Sequence, residues 1–80
     1  MEIGEATRKR ILALCKENGI TLNALSYRCG ITQSTLNNII SGRNHSTTVS
    51  TVQKICEGLG IDLAAFFDDP LFYDLDQEVR

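Results

Sequence analysis

Residues 21–42, TLNALSYRCGITQSTLNNIISG, hold two apolar periodicities that meet across three residues. In the first, Leu22, Leu25 and Cys29 recur at i, i+3 and i+7 behind Thr21, a capping residue type, and Gly30 follows directly. In the second, Thr32 caps and Leu36, Ile39 and Ile40 form an apolar stripe that ends before Gly42. The spacing predicts helices over about 22–29 and 33–41. Gly30 supplies a left-handed conformation without a Cβ clash, so the second helix can turn sharply across the first. Ile31 plugs the space beneath that joint.

The flanks extend the same pattern. From Glu5 to Asn18 no proline or glycine intervenes, and Ile11, Leu14 and Cys15 recur at helical spacing before Gly19. Arg43 to Thr47 reads as a polar loop. Thr48 then caps a helix whose Val49, Val52, Ile55, Cys56 and Leu59 face one way and which ends at Gly60. Asp62 caps a fifth helix, which offers Leu63, Phe66 and Phe67 to a core and stops before Pro70. Asp69 can cap a further turn with Pro70 at its first position, placing Leu71, Leu75 and Val79 on one side. No segment alternates with the period of two that strands require. The expectation is all-α: a compact five-helix bundle over residues 1–69, followed by an acidic and aromatic C-terminal tail, 70–80, with helical character.

Composition narrows the function classes. Hydrophobic content of 42% with 22% charged residues is that of a globular domain. No apolar run is long enough to span a membrane and no secretory signal pattern is present, so the reading is cytoplasmic, without a membrane partner. Cys15, Cys29 and Cys56 lack CxxC spacing and read as reduced core residues, with one redox-sensing thiol as the alternative. His45, the single histidine, reads as a loop residue. No metal spacing, cofactor motif or nucleophile constellation is recognisable, so neither an enzyme nor a small-molecule substrate is expected.

The net charge of −2 conceals a polarity. Through Cys56 seven cations face three carboxylates, for +4; beyond it Arg80 alone faces seven carboxylates, for −6. One face is thereby suited to a polyanion and another turned away from it. The outward side of the helix after Thr32 carries Gln33, Ser34, Asn37 and Asn38, and no charge lies between Thr32 and Gly42. An ordinary solvated helix face would carry lysine and glutamate. Glutamine and asparagine can each contact adenine twice, and serine can contact several bases, so the set suits the edges of double-stranded DNA in the major groove.

The stretch from Thr21 to Asp68 resembles the phage repressor and Cro class of helix-turn-helix domains, the Xre family. The resemblance is carried by Leu25, Gly30 and Ile31 before Thr32, then Leu36 and Ile39, then Gly42 and Arg43, and finally Thr51, Ile55, Leu59, Gly60 and Ile61. It implies that the third helix enters the major groove while the second crosses the backbone. It further implies base contacts from Gln33, Ser34, Asn37 and Asn38, and phosphate contacts from Thr21, Thr32, Thr35, Ser41, Arg43 and Asn44. Two positions depart from the family pattern. Leu22 stands where many members have a phosphate-clamping glutamine, and Cys15 and Ile40 replace an arginine–glutamate pair joining helices one and three. Exchanging both partners for apolar residues is often neutral or stabilising, so Cys15 and Ile40 are expected to meet in the core.

A single module this small buries little surface on DNA, which favours a homodimer on a twofold-symmetric operator and a regulator of transcription, read as a repressor. Phe66, Phe67, Leu71, Phe72 and Leu75 are the candidate dimer or tail interface, against the alternative that they pack back on helix one. The competing function is a protein-interaction module, such as an antitoxin or accessory subunit, that binds a partner protein through its tail.

Overall fold

Side-chain oxygens fix where most of the helices begin. In the computed structural model, which describes residues 1–42 and 47–79, α1 runs Ile3–Asn18, α2 Leu22–Cys29, α3 Gln33–Ile40, α4 Val49–Leu59 and α5 Leu63–Phe67. Thr21, Thr32, Thr48 and Asp62 each accept a hydrogen bond from the backbone N–H three residues on, which satisfies a donor the helix cannot use itself. The start of α1 is different: Glu2 makes no side-chain cap, and the helix begins two residues before the expected Glu5, taking Gly4 into its first turn. Thr7 Oγ1 donates to the Ile3 carbonyl at 2.8 Å within that turn.

The helices close in related ways. Ile20 N–H reaches the Cys15 carbonyl and Ile61 N–H the Cys56 carbonyl, each at 3.0 Å, and both isoleucines then pack against the core. That core is a single cluster drawn from all five helices, with Ile11, Leu25, Leu36, Ile55 and Phe66 fully buried at its centre. Cys15 is buried in it, and half-buried Ile40 packs against it, in keeping with the exchange of a charged pair for apolar side chains.

The most extensive helix contact is α2 on α4. Its closeness comes from Gly58, a residue without any signal in the periodicity. A Cβ at Gly58 would lie 2.9 Å from Cys29 Cβ and 3.0 Å from Cys29 N, so the missing side chain lets the two helices approach.

The tail departs from expectation. Asp69 does cap, with Oδ1 accepting from Leu71 N–H at 2.9 Å, and Pro70 does open the turn. Instead of a helix with Leu71, Leu75 and Val79 on one side, a single 3-10 turn forms at Pro70–Phe72 and the chain then bends. Val79 is 84% exposed. Asp74, Asp76 and Glu78 would crowd the negative end of a longer helix dipole, which opposes its extension. The turn packs instead on α1, and Asp76 N–H donates to the Met1 carbonyl at 3.0 Å.

Arg10 fastens this end of the molecule. From α1 its guanidinium donates to the Phe66 carbonyl at 2.7 Å, the Ala65 carbonyl at 2.9 Å and Asp69 Oδ2 at 3.0 Å. The end of α5 leaves the Phe66 carbonyl without a backbone partner, while the Ala65 carbonyl also accepts from Asp68 N–H at 3.3 Å. Among the described residues every buried polar side-chain atom has a partner.

Candidate nucleic-acid interface

The interface is built on the joint between α2 and α3. Gly30 sits at φ 68°, in the left-handed region, and Thr32 follows two residues later in extended conformation. Thr32 Oγ1 accepts from Thr35 N–H at 3.1 Å and donates to Thr35 Oγ1 at 2.8 Å. The Thr35 hydroxyl proton is thereby left free to donate outward. Both residues are exposed, at the end of α3 where the helix dipole is positive and suited to an anion.

Leu36 and Ile39 are buried, and the helical period turns the other side of α3 to solvent. Gln33, Ser34 and Asn37 are exposed and Asn38 is half-buried; together with Ser41 they line one shallow concavity. Ser41 ends the helix, its hydroxyl donating to the Asn38 carbonyl at 3.3 Å. Thr21, at the start of α2, is exposed and accepts from Ala24 N–H at 3.1 Å. Arg43, Asn44 and His45 lie outside the described residues. Leu22 is half-buried against the core, as an apolar side chain in place of a phosphate clamp would be.

The packing changes two readings. Phe66 is fully buried, in edge-to-face contact with Phe67 at 5.0 Å between ring centroids, so it belongs to the domain's own core and is withdrawn from the interface residues. Phe72 joins the same aromatic group, its ring 4.9 Å from that of Phe67; Leu71, Phe72 and Leu75 are all half-buried, and Phe67 is the exposed member of that set. Arg10, counted among the cations of the basic half, is committed to α5 and the tail and is withdrawn from any polyanion-binding face. No composition signal separates it from Arg8 or Lys9, because its partners come from residues 55 to 59 positions away.

Burial raises the Cys15 thiol above its ordinary pKa, with the neighbouring Cys29 adding to the effect. Burial also raises that of Cys56, assisted by Asp62 and opposed by Arg10 and a backbone hydrogen bond. A raised pKa lowers the thiolate fraction on which cysteine reactivity depends.

The Helix-turn-helix family matches residues 11–66, well over half of the chain. The chain therefore belongs to the helix-turn-helix family, a class of double-stranded DNA-binding proteins that regulate transcription. Among solved structures it is similar to the prophage Lp1 protein 11, at 32% identity and a TM-score of 0.81, covering 94% of this chain and 100% of that one. It also shares the fold of the restriction-modification controller protein C.Esp1396I, at 21% identity and a TM-score of 0.71 over 78% of each chain. No curated protein matches the chain. No helix among the described residues is long and apolar enough to cross a membrane.

Proposed function

We propose that this protein reads a specific sequence in the major groove through α3 and represses transcription as a homodimer on a twofold-symmetric operator. The observation that carries the reading is the exposed, charge-free face of Gln33, Ser34 and Asn37, with half-buried Asn38 beside them, on a helix whose start is fixed by Thr32. Amide and hydroxyl groups discriminate base edges, whereas charges mainly hold phosphates. In this reading Thr21, Thr32, Thr35, Ser41, Arg43 and Asn44 hold the backbone, and Phe67, Leu71, Phe72 and Leu75 contribute to the contact between protomers. The tail reading, in which a partner protein is captured, is less favoured because Arg10 and α1 hold the tail's first turn.

Selection of bound duplexes from random DNA tests the proposal, repeated with Gln33→Ala and Arg43→Ala. Loss of Gln33 is expected to relax preference at one or two base pairs, at about 1–3 kcal/mol, while loss of Arg43 weakens all duplexes alike. Recovery of no preferred sequence, or the reverse assignment of the two variants, would overturn it.

A further inference from the structure

The three consecutive cations of α1 have different surroundings. Arg10 is committed to α5, while Arg8 and Lys9 both flank Glu5, with Arg8 Nη2 at 3.8 Å and Lys9 Nζ at 3.9 Å from Glu5 Oε1. The spacings are i,i+3 and i,i+4 along one helix face. Arg8 and Glu5 also line a surface hollow that includes Ser41 and Gly42 from the end of the α3 segment, together with Glu2 and Asp76. The start of α1 therefore stands beside the last turn of the helix that presents the reading face.

We infer that Glu5 limits the affinity of the DNA-binding face by cancelling the charge of Arg8 next to the end of α3, and with it that of Lys9. This rests on the reading of α3 as the DNA-contacting helix. Exposed pairs of this length hold neither cation firmly, so the effect is one of field and not of locking. A phosphate passing Ser41 meets Arg8 beside Glu5, with a further carboxylate on Glu2 and Asp76 paired with the Met1 ammonium at 3.5 Å, while Lys9 lies outside the hollow on the other contact of Glu5. Because α3 carries no charge of its own, one neighbouring charge is a large part of the local potential. The arrangement keeps sequence-independent attraction low, so that amide and hydroxyl contacts decide where the protein stays.

The test compares Glu5→Gln with Glu17→Gln, an equivalent change on the same helix at a residue outside the hollow. Binding is measured on the selected duplex and on a scrambled one, over a range of salt. Glu5→Gln is expected to tighten both about two- to fivefold at about 50 mM salt and to steepen the slope of log K against log salt by about 1 to 2. Adding Arg8→Gln should remove most of that gain. A Glu5→Gln protein that binds no more tightly than Glu17→Gln, while wild type still distinguishes the duplexes, overturns this inference alone. Wild type that does not distinguish them overturns the reading of α3, and the inference with it.

Discussion

Arg10 Nη1 lies 3.0 Å from Asp69 Oδ2, joining α1 to the residue that caps the 3-10 turn of the tail. The arginine side chain is 13% exposed and also donates to the Ala65 and Phe66 carbonyls, so its removal takes a charged donor from three acceptors at once, of which the Ala65 carbonyl keeps Asp68 N–H. Arg10→Ala is expected to destabilise the protein by about 2–3 kcal/mol. Asp69→Asn should cost less, about 1–2 kcal/mol: its single oxygen can keep either the Arg10 contact or the Leu71 cap but not both, while the two carbonyl contacts persist. Urea titration measures both; equal midpoints for wild type and Arg10→Ala would show that the clamp contributes nothing.

Gly58→Ala sets two effects against each other. Alanine is favoured over glycine in a helix by up to about 1 kcal/mol, and by less in the last turn of α4, where Gly58 lies. Its methyl would meet the Cβ and backbone of Cys29, which cannot rotate away, and such overpacking costs about 1–3 kcal/mol. Net destabilisation is expected, and a higher thermal midpoint for the variant would refute the close approach of α2 and α4.

Thr32 and Thr35 can be separated by two measurements. Thr32→Ala should lose about 1 kcal/mol of stability with the cap, and Thr32→Ser should keep it. Thr35→Val should leave stability within about 0.5 kcal/mol, the range for exposed sites. If Thr35 donates to a phosphate, the same change weakens binding to every duplex equally; unchanged affinity across duplexes removes it from the phosphate set.

The buried thiols give stability a pH dependence. A thiol with a higher pKa folded than unfolded holds its proton more tightly in the native state. The resulting stability is present below the ordinary value of about 8.5 and is lost as pH rises through the raised values of Cys15 and Cys56. Denaturant midpoints should therefore fall above about pH 8.5, and should fall less steeply in Cys15→Ala/Cys56→Ala. Thiol reagents at pH 8 should label native protein far more slowly than protein in urea, and rapid native labelling would show that these cysteines are accessible.

Local chemistry made most of the helices legible in the chain itself. A threonine or aspartate oxygen, a glycine and a period of 3.6 act over fewer than eight residues, so Thr21, Thr32, Thr48 and Asp62 announced their helices directly. The outward placement of Gln33, Ser34 and Asn37 followed from the inward placement of Leu36 and Ile39, because one helical period governs both. The helix start at Ile3 was obscured by Gly4, whose low propensity is outweighed once the turn is bonded and packed.

The sequence by itself determined the all-helical class, the tight joint at Gly30 and the uncharged face of α3. Tertiary structure alone decided that Arg10 serves the fold, that Phe66 is core, that Gly58 brings α2 against α4, and that Glu5 and Arg8 stand beside Ser41. The physical reason is range. Caps and periodicity are set by neighbours in the chain, while the partner of a charge or the space available to a side chain is set by residues that only folding brings near.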